Sequence, residues 1–331
     1  MGALEEKAVE LKGEAAALPA GRKSSGMRWA MRGIYIIWVR EFKRFWRDRA
    51  RRIGGFAQPI MYLALLGVGM QSAFKVFGGG DVPYIKFMFP GILGLTVLFT
   101  SVFSAISIIW DREFGFLKEV LVSPVPRSSV ALGKIIGGST TALIQGAIFL
   151  ILAFTPWVYG FSLDTLWKVL AVIPLIVLMS LSLTSLGVAV AARMTSMEGF
   201  PIIMNFLLMP MFFLSGAFFP LQGLPRWMDV LTKIDPLTYG VDALRGIMLK
   251  GLNLAAGAPG NLAQFAAWFK DPEILRIGLG KGYPDPSSLS ALARQASLPV
   301  QAHPLWMDVL VMVGFGVFLF TLALWQFNRA E

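Results

Sequence analysis

The sequence predicts an all-α polytopic membrane protein: six transmembrane helices, an N-terminal amphipathic interfacial helix and short external re-entrant helices. Three observations predict it. Of 331 residues, 56% are hydrophobic and 15% charged, whereas a soluble domain carries about 25% charged residues and needs them to cover its surface. Six uncharged stretches approach the roughly 20 apolar residues that cross a bilayer. The net charge is nonetheless +10, a surplus that suits an anionic membrane surface.

The six stretches are Ile53–Phe74, Phe87–Trp110, Ile135–Phe154, Val169–Ala192, Gly199–Phe219 and Val309–Phe327. None contains Asp, Glu, Lys or Arg. Charge gathers at their ends instead, as Arg51 and Arg52, Asp111 and Arg112, and Arg193. Trp110, Trp157, Trp167, Trp306 and Trp325 also sit near ends, where an interfacial aromatic belt belongs. A soluble helical bundle would need polar faces on its outer helices, and these runs have none. With both termini in the cytoplasm, the inner segments hold 19 of the 30 Lys and Arg residues. Eight of the remaining 11 lie in the long segment after the fifth span, and long loops carry little weight in the positive-inside rule. The expected location is the cytoplasmic (inner) membrane, multi-pass, with both termini cytoplasmic.

Residues 1–26 form a polar tail with Glu5, Glu6, Glu10 and Glu14 and no apolar core of a signal peptide. Residues 27–52 read as the cytoplasmic interfacial helix. Ile34, Ile37, Trp38, Phe42, Phe45 and Trp46 recur at helical spacing, and Arg40, Lys43, Arg44, Arg47 and Arg51 fill the opposite face, toward anionic lipid phosphates. Basic–aromatic interleaving also suits nucleic acid, but a membrane span follows at once, so no nucleic-acid partner is expected. The six-span domain occupies residues 53–331. Within it, the cytoplasmic loop 111–128 holds a short helix with Phe114, Leu117 and Leu121 on one face. Pro124 and Pro126 end it. By pattern alone, such a loop is either a connector at the interface or a docking element with Phe114 and Leu117 as anchors. Residues 220–250 alternate apolar patches with prolines and charges, and neither half is long enough to cross. Backbone of that kind is tolerated at membrane depth only when packed on protein. Residues 251–304, rich in Gly, Ala, Pro and Ser, read as an external insertion.

Much chemistry is excluded. There is no cysteine and one histidine, His303, so thiol catalysis and His-paired metal sites are out. The spans carry hydroxyls and amides only: Thr96, Thr100, Ser104, Ser107, Gln145, Ser180, Thr184 and Asn205. Ion-driven transport ordinarily uses ionisable groups inside the membrane. Gly138, Ala142 and Gly146 repeat at close-packing spacing. Gly133–Lys134 and Gly280–Lys281 are followed by Ile and Gly, so neither is a phosphate-binding loop. If ATP drives this protein, the ATPase is a separate subunit and must touch a cytoplasmic loop.

Three stretches carry a resemblance: Phe89–Lys134 (FPGILGLTVLFTSVFSAISIIWDREFGFLKEVLVSPVPRSSVALGK), Phe212–Met228 (FFLSGAFFPLQGLPRWM) and Asp235–Gly246 (DPLTYGVDALRG). In this order, and with six spans, the chain resembles the membrane subunit of a type-2 ABC exporter, the permease family that includes daunorubicin- and multidrug-resistance exporters. The resemblance implies a permease, not an enzyme. It would pair with a second copy of itself or a paralogue and with two ABC ATPase subunits. There would be no cofactor on this chain, with ATP and Mg on the ATPase. It places Glu113, Phe114, Gly115, Leu117, Lys118 and Glu119 at the ATPase-coupling position. It makes Leu221–Lys250 the re-entrant helices, and sets Thr100, Ser104, Asn205, Met209 and Phe213 along a pathway between protomers. With Met197, Met204, Met209 and Met211 near the fifth span, the expected cargo is a hydrophobic or amphipathic compound, drug-like or lipid-like. The alternatives are an exporter of a lipid-linked glycan or other cell-envelope lipid and, from another class, a non-transport scaffold or membrane enzyme.

Overall fold

The computed structural model describes residues 26–71, 83–115, 125–218, 221, 225–250 and 303–329. The polar tail, the 251–302 part of the insertion and residues 116–124 lie outside the described residues, and with them Leu117, Lys118 and Glu119. Among the described residues there are ten α-helices and no strand: α1 Gly26–Arg47, α2 Arg49–Gly69, α3 Tyr84–Ser104, α4 Ile106–Glu113, α5 Arg127–Leu150, α6 Leu163–Ala191, α7 Gly199–Leu214, α8 Arg226–Ile234, α9 Pro236–Met248 and α10 Leu305–Arg329.

Four of them are long and apolar enough to cross a membrane: α3 with α4, α5 with the 3₁₀ turn Ile151–Phe154, α6, and α10. α2 begins in three arginines, Arg49, Arg51 and Arg52. α7 has only 16 residues, about 24 Å at 1.5 Å per residue. The expected first and fifth spans are thus present as helices, one charged at its start and one short. The helix expected at the interface is shorter than the sequence suggests. α1 stops at Arg47, so Arg51 belongs to α2.

α3 and α4 are one 30-residue rod, Tyr84–Glu113, tightened at Ala105, whose N–H donates to the Val102 carbonyl. The tight turn faces α6 where Gly187 has no side chain. A Cβ there would lie 2.7 Å from the Val102 carbonyl oxygen. This rod is the core of the molecule: Phe89, Ile92, Leu93, Val97, Leu98, Ile108 and Ile109 are fully buried. α5 crosses it with Gly138 against Ser104 and Thr184 and Gly146 against Val97 and Ile176, the close-packing role that the small-residue spacing predicts. α10 covers α6, and α9 wedges among α3, α6 and α10. Trp157, Trp167 and Trp306 are exposed, as belt residues should be.

The helix ends collect at two poles. At one, Arg112 reaches the carbonyls of Ala192 and Met194 beyond α6, and Arg193 and Arg329 share the Trp325 ring. At the other, Tyr159 donates to the Lys86 carbonyl and Tyr84 to that of Phe218.

Candidate functional site

The first pole holds a buried ion cluster that the apolar reading of the spans does not anticipate. It begins with α1. The helix lies in a groove on α5 opened by Gly133 and Gly137. A Cβ at these positions would meet Ile37 at 2.7 Å and Glu41 at 2.8 Å. Such close approach buries the stripe Gly33, Ile37, Glu41 and Phe45, one residue every four, as helical geometry dictates. One member of that stripe is acidic, so its burial demands a cation.

Lys134, 4% exposed, supplies it. Its Nζ donates to Glu41 Oε1 at 2.6 Å, to Asp111 Oδ2 at 2.5 Å and to Ser107 Oγ at 2.9 Å. All three ammonium donors are thereby used. Arg40 bonds both Glu41, at 3.1 Å, and Asp111. Arg44 lies 4.0 Å from Asp111 and covers the Trp110 ring at 4.3 Å. Burial pushes the Glu41 carboxyl upward, but the Lys134 ammonium and its hydrogen bond, with Arg40 and Arg44, outweigh burial and hold the group below its ordinary value. Three cations against two carboxylates bind α1, α4 and α5 into one unit.

This revises the roles of the basic face of α1. Arg40 and Arg44 turn toward the protein, because a buried carboxylate outbids a solvated lipid phosphate. Lys43 and Arg47 remain exposed. The signal in the sequence was Glu41 itself, an acid amid six basic residues from Arg28 to Arg47, together with Lys134 one residue before an apolar run. Nothing in local spacing pairs residues 93 positions apart.

Of the residues expected at the coupling position, Glu113 ends α4, Phe114 follows it 77% exposed, and Gly115 turns the chain away at φ +77°. Positive φ at that point suits glycine and stops the helix. Phe114 therefore stands bare at the tip of a rod whose last two turns are held by Lys134, Arg40 and Arg112.

The expected pathway residues fall into two groups. Ser104 is buried, donates to the Ser101 carbonyl and packs on Gly138, so it faces neighbouring helices. Thr100 donates to Gln145 Oε1 at 3.1 Å and lines a cavity of about 300 Å³ between α2, α3 and α5. Asn205, Met209 and Phe213 lie on the exposed face of α7, opposite its buried stripe of Phe200, Met204, Leu208 and Phe212. The structure does not bring the five together.

At the second pole, Arg245 is fully enclosed in α9. It donates to the Gly216 carbonyl at 2.5 Å and sits 4.1 Å over the Phe87 ring. Burial pulls its guanidinium down to about 10 while Asp242 pushes back, so it stays charged at neutral pH. Asp235 caps α9 by accepting from Leu237 N–H at 2.9 Å. Burial raises its carboxyl to about 7 against the hydrogen bonds from Leu237 and Thr238. The backbone N–H of His303 donates to Asp242 Oδ2 at 2.8 Å, and its Nδ1 lies 3.6 and 3.7 Å from Asp242 and Asp308. The ligand atoms of these three residues lie within 4.8 Å of one another, a spacing a metal would accept. Asp242, however, already accepts from the backbone of His303, as a clasp between α9 and α10 requires. Two short helices, α8 and α9, nine and 13 residues long, occupy the segment expected to be re-entrant.

Known proteins are similar to this chain in sequence. Residues 32–249 match the family model described as ABC-2 type transporter. Nodulation protein J of Rhizobium meliloti (strain 1021) is 30% identical over 242 residues, 71% of this chain and 84% of that protein. A putative transport permease, ycf38, of Cyanophora paradoxa is 28% identical over 213 residues, 64% of this chain and 72% of that one. The matched region takes in the ion cluster, Phe114 and both helices of the second pole.

Proposed function

The chain belongs to the ABC-2 type transporter family, as a multi-pass membrane permease, and from that premise we propose that it is the permease subunit of an ATP-driven exporter. A separate ATP-binding cassette subunit, carrying ATP and Mg, docks at the pole that holds the ion cluster. That pole faces the cytoplasm of the inner membrane, and both termini lie there. The observation that carries this reading is Phe114: an exposed aromatic anchor at the tip of a rod that Lys134, Arg40 and Arg112 tie to three other segments. A push at such a tip moves α1, α4, α5 and the end of α6 together, whereas an untethered loop would absorb it.

The outer face of α7 supports pairing with a second copy or a paralogue. Ile202, Phe206, Met209 and Phe213 are exposed there, and so is Asn205. An amide facing hydrocarbon alone is costly, and a second protomer or a polar pathway satisfies it. A surface of Met, Phe and one amide suits a hydrophobic or amphipathic cargo. An envelope lipid or lipid-linked glycan is the second cargo class that such a surface admits.

The test is recruitment. The chain is co-expressed with each ATP-binding cassette subunit of its own genome, and the purified complexes are placed in nanodiscs. One cassette should copurify and hydrolyse ATP faster with the permease. Phe114→Asp should reduce copurification at least tenfold while the permease alone elutes unchanged. Failure of every cassette to copurify with the unaltered chain would overturn the reading, and full retention by Phe114→Asp would overturn the docking position.

A further inference from the structure

We propose that the cavity between α2, α3 and α5 is a lateral binding site for a neutral amphipathic molecule, whose ester or amide carbonyl is taken by the side-chain amide of Gln145. The cavity has a volume of about 300 Å³, at the lower end of small-molecule sites. Its mouth is at Gly54 and Gln58, which are exposed, and its floor is formed by Ile92, Leu95 and Thr96, which are buried. Along α2 it runs from Gly54 to Tyr62, roughly 12 Å at 1.5 Å per residue. That is a slot for part of an acyl chain or a ring system, opening sideways out of the bundle.

Gln145 gives the slot its chemistry. The residue is 2% exposed. Its Oε1 accepts from Thr100, but its Nε2 has no hydrogen-bond partner. Buried donors are ordinarily paired, by protein, water or ligand. The amide is seated against Gly55, where any Cβ would fall 1.7 Å from Nε2, so the absence of a side chain there leaves the donor its place at the cavity wall. Thr96 spends its hydroxyl proton on the Ile92 carbonyl, and Gln58 donates to Tyr62. Among the lining residues the amide of Gln145 is thus the one buried with a partnerless donor, in a mostly apolar slot with no charged side chain. A neutral acceptor on an apolar body matches it, whereas an anion would find no cation.

The inference stands on the cavity and not on the transport reading, and the two fail separately. The probe is a photoreactive monoacylglycerol ester, compared with the ether analogue that lacks the carbonyl, on the full chain in nanodiscs. The ester should label peptides of α2 and α3 at least fivefold more than the ether. Gln145→Leu should bring that ratio to about one, with residual labelling by both. Gly55→Leu, which fills the slot, should abolish labelling by either probe. Equal labelling by ester and ether in the unaltered chain, a preference that survives Gln145→Leu, or labelling confined to other helices would overturn the proposal. Should either variant elute differently from the unaltered chain, Ile92→Trp replaces it, and retained labelling there overturns the site as well. Two sources share this chemistry, a membrane lipid and the exported cargo. Native mass spectrometry of the chain from its own membrane separates them: a bound mass found in the bulk lipid extract is a resident lipid, and one absent from it is cargo.

Discussion

Lys134 and Arg245 are both buried cations, one at each pole, and they are met in opposite ways. Lys134 is met by two carboxylates and a hydroxyl drawn from α1 and α4. Arg245 is met by a backbone carbonyl and an aromatic face. The first arrangement joins elements far apart in sequence through full charges, which tolerate exchange of partners. The second fixes a short helix against the backbone of its neighbours. One pole ties three elements into a block and the other pins a single short helix.

Substitutions at these sites test the contrast, beginning with the largest effect. Lys134→Met leaves Glu41 and Asp111 buried against Arg40 and the more distant Arg44, and should cost about 3–5 kcal/mol. Unfolding in nanodiscs would show it as a loss of thermal midpoint, and adding Glu41→Gln should restore part. No loss would mean that the cluster is solvated and carries no block motion. Arg245→Met should cost about 2–3 kcal/mol, from one charged hydrogen bond and a desolvated cation–π contact. A double substitution at Lys134 and Arg245 should be additive, since the poles share no partner. Coupling above about 0.5 kcal/mol would erase the distinction.

Gly187→Ala forces a Cβ against the Val102 carbonyl at the Ala105 turn and should cost about 1–3 kcal/mol, read by the same unfolding. Asp235→Asn should change stability by under about 1 kcal/mol below about pH 4, because asparagine caps as well as aspartate, and should raise it at pH 7, where no buried carboxylate has to be held ionised. Its effect is on pH. The Asp235 carboxyl is raised to about 7 in the folded chain, so its contribution is full below the unfolded value of about 3.9 and is lost as pH rises toward 7. Glu41 has the opposite sign: its carboxyl is lowered, so its contribution is present above the unfolded value and is lost as pH falls. Acid should loosen the Lys134 pole and neutral-to-alkaline pH the Asp235 cap. Hydrogen exchange of α1 and α9 against pH would sharpen or break that opposition, and Asp235→Asn should flatten the α9 profile alone.

Much of the fold was legible in the sequence because bilayer-length apolar runs have few alternative structures. The apolar character of α3, α5, α6 and α10, the small-residue contacts at Gly138 and Gly146, and two short helices after α7 all follow from composition and spacing. The ion cluster did not. Lys134 reads as a residue flanking a span, and Asp111 as the start of a loop, until the rod is seen to continue through Glu113. The inward turn of Arg40 was hidden for a related reason: on a helix so rich in arginine, only the groove at Gly133 and Gly137 decides which of them face protein. Thr100 was legible as a polar group but not as a partner of Gln145, since hydroxyls in spans mostly bond their own backbone, as Ser104 does.

The length of the rod has a further consequence. Thirty residues, Tyr84–Glu113, extend roughly 45 Å at 1.5 Å per residue, while the hydrocarbon layer is about 30 Å thick. An upright rod therefore overshoots that layer by about 15 Å, and with Tyr84 set at the far interface the overshoot is all at the Phe114 tip. Asp111 and Lys134 then ride at headgroup height, where charge is cheap, and Phe114 becomes a mast standing clear of the lipid. Elevation, set by helix length alone, determines what can reach it.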